Sequence, residues 1–137
     1  MNQSNIKIKK YTILIIDDDE NVCILYKINL EKLGYHVITA SNSTDALQIY
    51  NESLNNTPIE VAIIDLSLPD SLTGNEIASE IRKLNSDVKL IVSSGNIESA
   101  EMLHHLDYGF DASIEKTFNR KKIKQTVESV LGISEIE

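Results

Sequence analysis

The 137-residue sequence has one cysteine, Cys23, and no tryptophan. A single thiol excludes a disulfide framework and any cysteine-based zinc site. Basic residues are also short: 13 Lys and Arg stand against 21 Asp and Glu, for a net charge of −8. That sign argues against direct nucleic-acid binding, which calls for a basic surface. Long apolar runs are missing too. Neither Ile13-Leu14-Ile15-Ile16 nor the five residues Val22-Cys23-Ile24-Leu25-Tyr26 is long enough for a membrane-spanning helix or a secretory leader. The expected setting is therefore the reducing cytoplasm, away from the membrane. No internal repeat, low-complexity tract or linker interrupts the chain.

What remains is 42% hydrophobic and 25% charged, the balance of a soluble globular domain. A chain this long buries a core without a disulfide or structural metal. Residues 1–10 are polar, with Lys7, Lys9 and Lys10, and read as an N-terminal tail. Residues 11–132 form the domain and 133–137 a C-terminal tail. At this length no separate output domain is expected within the sequence, which reads equally as a stand-alone domain or as one excised from a larger protein.

Short β-branched runs recur at Ile13–Ile16, Val37–Ala40, Val61–Ile64, Leu90–Val92 and, more weakly, Ala112–Ile114. Each has the length and composition of a buried strand. Between them the apolar period becomes helical. Residues 20–33 and 43–54 are helix candidates, with Leu47, Tyr50 and Leu54 facing inward in the second. Ile77, Ile81 and Leu84 form one stripe; Ile97, Ala100 and Leu103 another; Ile123, Val127, Val130 and Leu131 a third. Gly34 is a helix stop and Ser43 a helix start. Five strands alternating with five helices predict an α/β fold with a doubly wound parallel sheet.

The polar residues then fall in a telling order. Asp17, Asp18 and Asp19 follow the first strand, Asp65 the third, Ser93 and Ser94 the fourth, and Lys116 the fifth. In an open parallel sheet these strand ends share one rim. Crowded carboxylates resist ionisation unless a cation joins them. Hard oxygen donors suit Mg²⁺. A carboxylate in such a site can attack phosphorus, and a metal, a Lys and a hydroxyl would stabilise the transferring group. Asp19 reads as the N-cap or a first-turn acid of the helix that begins near Glu20.

These segments, from Ile13-Leu14-Ile15-Ile16-Asp17-Asp18-Asp19-Glu20 through Val61-Ala62-Ile63-Ile64-Asp65-Leu66-Ser67-Leu68-Pro69 and Leu90-Ile91-Val92-Ser93-Ser94-Gly95 to Ile114-Glu115-Lys116, resemble the receiver domain of two-component response regulators. Gly74 fits the same pattern. The Ser93-Ser94-Gly95 and Tyr108-Gly109-Phe110 stretches are most similar to receivers of hybrid histidine kinases. The resemblance implies a flavodoxin-like (βα)5 sheet in the order 2-1-3-4-5 flanked by five helices. It implies that Asp65 accepts a phosphoryl group from a phosphohistidine on a histidine kinase or histidine phosphotransfer protein. It assigns Mg²⁺ to Asp17, Asp18, Asp65 and the backbone carbonyl of Ser67. Ser94 matches the switch hydroxyl and Lys116 the phosphoryl-pairing cation. An unidentified downstream protein would read the switch, and a homodimer is compatible with it. The implied role is signalling, not enzymatic turnover.

The sequence departs from the family in three places. Thr117 stands where Pro usually follows the Lys, Ser113 where an aromatic residue often reports the switch, and Ser93 precedes Ser94 as a second hydroxyl. Period-2 alternation sends those two hydroxyls to opposite faces, and Gly95 after Ser94 favours Ser94 for the site. The first two departures keep open a pseudo-receiver that binds partners without phosphorylation. A phosphohydrolase of the haloacid dehalogenase kind would instead use Asp17 and Asp19, leaving Asp65 without a role. His104-His105 and Cys23 read as structural. The cluster Arg120-Lys121-Lys122-Lys124 reads as a solvated face, with partner docking as the alternative.

Overall fold

The computed structural model describes residues 10–68, 72–116 and 118–133. Five strands, β1 (Thr12–Ile16), β2 (His36–Ala40), β3 (Val61–Asp65), β4 (Lys89–Ser94) and β5 (Ala112–Glu115), pair in parallel. Their order is β2-β1-β3-β4-β5. β1 and β3 are buried at every position, because helices cover both sheet faces and apolar β-branched residues fill both. Five helices complete the fold: α1 (Glu20–Lys32), α2 (Ser43–Ser53), α3 (Gly74–Leu84), α4 (Ala100–Leu103) and α5 (Arg120–Leu131). Among the described residues, no helix is long and apolar enough to cross a membrane.

The core has two halves. On one side Leu14, Ile16, Ile64 and Val92 pack with Tyr50 of α2, Ile77 and Ile81 of α3 and Met102 of α4. On the other, Ile13, Ile15, Ile63 and Ile91 pack with Tyr26 and Leu30 of α1 and Ile123 and Val127 of α5. Sequence-local signals set the helix ends. Asp19 caps α1 by accepting the Asn21 and Val22 N–H groups. Gly34, at φ +99°, follows the last turn, a conformation that only glycine adopts at little cost. α2 begins at Ser43, capped by Asn42. Thr73 and Glu76 form a reciprocal capping box on α3.

Three inward-facing expectations fail. Leu54 closes α2 as its C-cap residue and is exposed. Leu84 is the last residue of α3 and is also exposed. The Ile97, Ala100 and Leu103 stripe does not form: Ile97 lies in a turn before α4, Leu103 is 62% exposed, and Met102 takes the inward place. The cause is local. The Ser94 hydroxyl accepts the Asn96 N–H, the Asn96 side chain the Glu98 N–H, and the Ser99 hydroxyl the Met102 N–H. The first two bonds compete with a helix start, while the third is the Ser99 N-cap that sets the start at Ala100. α4 is therefore short and continues as a 3-10 turn over His105–Tyr108, ended by Gly109 at φ +88°.

Candidate functional site

Strand register builds the site. Ile16 of β1 pairs with Ile64 of β3, so the next residues, Asp17 and Asp65, leave adjacent strands at one level. Asp65 pairs with Ser93 of β4, and Ser94 with Glu115 of β5. Lys116 follows, and its N–H donates to the Ser94 carbonyl at 3.0 Å. Both acids are 2% exposed. The ammonium of Lys116 reaches them across β4, 2.9 Å from Asp17 Oδ2 and 3.1 Å from Asp65 Oδ1.

The backbone holds the acids in place. Asp17 Oδ1 accepts the Asp19 N–H at 2.9 Å, and Asp65 Oδ1 accepts the Ser67 N–H at 3.1 Å. Gly74, first in α3, lies so close that a Cβ there would stand 2.6 Å from the Asp65 carbonyl oxygen. Asp18 is exposed at the mouth. One carboxylate oxygen from each of Asp17, Asp18 and Asp65 lies within 4.8 Å of the others. These hard donors fit a divalent cation. An open cleft of about 650 Å³ between α1 and α2 borders the cluster, lined by Asp17, Asp18, Glu20, Asp45 and Glu52 among others.

The charges act on one another. Burial raises the pKa of Asp17 above its ordinary value, and the negative charge of Asp65 adds to this. The Asp19 N–H and Lys116 oppose the rise without cancelling it. Burial pulls Lys116 down, but its hydrogen bond to Asp17 and the charges of both acids outweigh that, so its pKa is raised. Buried Cys23 donates to the Asp17 carbonyl at 3.3 Å. Burial and the nearby acids push its thiol up to about 11, which disfavours the thiolate at neutral pH.

The two serines diverge. Ser94 stands at the rim, with its hydroxyl on the Asn96 N–H. The Ser93 hydroxyl points to the α1 side and lies 2.8 Å from the Tyr26 hydroxyl. Tyr26 is not legible from local sequence: strand alternation puts Ser93 on the face opposite Ser94 but does not name its partner. Asp19 is occupied as the α1 cap, and the carboxylate cluster is formed by Asp17, Asp18 and Asp65. Ser113 is half-buried on β5. Pro69 and the Lys116–Thr117 bond lie outside the described residues. His104 is exposed, His105 half-buried, and Arg120, Lys121 and Lys122 line an exposed face of α5.

Known proteins resemble the chain in sequence and fold. The chain is 30% identical to the alkaline phosphatase synthesis transcriptional regulatory protein PhoP of Bacillus subtilis, over 90% of this chain and 50% of that protein. It is 30% identical to the probable transcriptional regulator ycf27 of Guillardia theta, over 89% and 46%. It thus spans about half the length of these curated relatives. A CheY-like receiver domain protein from Methanospirillum hungatei superposes with a TM-score of 0.77 at 30% identity, covering 90% of this chain and 95% of that one. The finer likeness to receivers of hybrid histidine kinases gains no support from these relatives. The model of the response regulator receiver domain matches residues 13–128, so the chain belongs to that family of two-component signalling domains.

Proposed function

We propose that this receiver works as a phosphoacceptor, with Asp65 as its nucleophile. One observation carries the reading: buried Asp65 is held level with Asp17 and bridged to it by Lys116. A carboxylate oxygen of Asp65 attacks the phosphorus of a phosphohistidine on a histidine kinase or histidine phosphotransfer protein. The P–N bond breaks, and the imidazole leaves with the electron pair. Lys116 already lies beside the attacking carboxylate and can follow the new negative charge onto the phosphoryl oxygens. The Ser94 hydroxyl, one residue beyond the level of Asp65, supplies a donor. Asp17, Asp18, Asp65 and the Ser67 carbonyl would hold Mg²⁺. Bound there, the ion would neutralise charge on the acids and the incoming group.

Residues 11–132 are the working unit, with 1–10 and 133–137 as flanking segments, and the setting is cytoplasmic. The output is a protein surface read by a downstream protein or a second copy, not direct contact with nucleic acid or membrane. Half-buried Ser113 supports one other reading, a pseudo-receiver whose partner surface works without phosphorylation.

The test is intact mass after incubation with acetyl phosphate or phosphoramidate and Mg²⁺, beside Asp65→Asn. One added phosphoryl group that requires Mg²⁺ and disappears in the variant is the expected result. No gain at any donor concentration, with Mg²⁺ still bound, would leave the pseudo-receiver.

A further inference from the structure

Beneath the acids, on the α1 side of the sheet, one side chain touches two of the segments that build the site. Tyr26 is wholly buried. Its hydroxyl lies 2.8 Å from the Ser93 hydroxyl. Its ring stacks on Phe118, with centroids 4.3 Å apart and planes 29° apart. Ser93 is the register partner of Asp65 and precedes Ser94, whose carbonyl takes the Lys116 N–H. Phe118 lies two residues beyond Lys116. One residue of α1 therefore grips the end of β4 and the segment leaving β5, the two places between which Lys116 is hung.

Packing alone does not call for this chemistry. A phenylalanine would fill the same space and make the same stack. Burying two hydroxyls costs desolvation that their mutual bond only offsets. What the pair adds is position, since a buried hydrogen bond favours one alignment of α1 against β4 over its neighbours.

We propose that Tyr26 is a positioning residue of the phosphoacceptor site, aligning Lys116 and Ser94 with Asp65 through Ser93 and Phe118. The inference rests on the phosphoacceptor reading for its purpose, but the alignment itself is testable without phosphorylation. The probe is the Lys116 amide, whose bond to Ser94 spans the two gripped segments. Native-state hydrogen exchange by NMR should show this amide exchanging about ten-fold faster in Tyr26→Phe, the size expected for one lost buried hydrogen bond. The amides of β3 should slow or quicken only with global stability. Ser93→Ala should reproduce the effect, and the double variant should add little to either single one. With acetyl phosphate and Mg²⁺, Tyr26→Phe should be modified several-fold more slowly at unchanged Mg²⁺ affinity. Exchange at Lys116 that rises only in step with β3 in both variants would overturn the proposal and make Tyr26 ordinary core. If the unsubstituted protein takes no phosphoryl group, the phosphoacceptor reading fails, while the exchange comparison still decides whether Tyr26 aligns Lys116.

Discussion

The Lys116 ammonium lies 2.9 Å from Asp17 Oδ2, although Asp17 leaves β1 and Lys116 follows β5 at the far edge of the sheet. The contact spans two intervening strands and matches the only partly exposed cation of the site to a carboxylate that is almost fully buried. Lys116→Met would strand two buried carboxylates without their cation. We expect a loss of about 2 kcal/mol at neutral pH, below the range for a fully buried pair because Lys116 keeps some solvent contact. Millimolar Mg²⁺ should return much of it. Urea denaturation with and without the ion reads both effects, and an unchanged midpoint would contradict the pairing. Because the Lys116 pKa is raised, its contribution is complete below the ordinary 10.5 and fades as pH climbs through the folded-state value.

Asp17 gives the opposite sign. Its folded-state pKa is raised above 3.8, so its charge opposes folding at neutral pH. Asp17→Asn should stabilise the protein at pH 7 by on the order of 1 kcal/mol, the scale of a single substitution. The gain should shrink as pH falls through the raised value toward 3.8, where the native carboxyl takes up its proton. Divalent-ion affinity should fall in the same variant. Thermal melts at several pH values beside calorimetric Mg²⁺ titration would check this, and a destabilised variant at pH 7 would refute it.

Gly74 predicts a packing failure that reaches the site. A methyl group there meets the Asp65 carbonyl oxygen at 2.6 Å and the Leu66 Cα at 3.1 Å. Both are backbone atoms, so α3 or the end of β3 must move. Gly74→Ala should lose about 2 kcal/mol and weaken Mg²⁺ binding together. Full stability with intact ion binding would show that α3 yields freely.

Cys23 offers a probe that needs no substitution. With its pKa near 11, about a thousandth of the thiol is ionised at pH 8, and the group is buried. A disulfide reagent should label it only as the chain unfolds. Rapid labelling of the native protein would mean that the floor of the α1–α2 cleft opens.

Much of this was legible in the sequence because buried parallel strands and their polar exits are local patterns. Ile13–Ile16 and Val61–Ile64 announce β1 and β3 by β-branched runs, and Asp17, Asp65 and Lys116 are the residues that follow such runs. The Asp19 cap and the Gly34 stop are equally local. The misses have a different origin. Ile97 and Leu103 keep helical spacing, but Ser94 and Asn96 hold the Asn96 and Glu98 N–H groups in a turn, and the Ser99 cap starts α4 only after Ile97. Leu54 and Leu84 fall at helix ends, where spacing no longer decides burial. Tyr26 and Ser93 meet across 67 positions of chain, beyond the reach of any periodicity.

The order β2-β1-β3-β4-β5 also divides the site by stiffness. Asp17 and Asp65 leave strands flanked by neighbours on both sides, where displacement would disturb two ladders at once. Lys116 leaves a strand with one neighbour. The negative half of the site is thus anchored in the middle of the sheet and its positive half hangs from the margin. A change of charge at Asp65 meets least resistance at the margin, so any shift in shape should start there and spread toward β5 and α5.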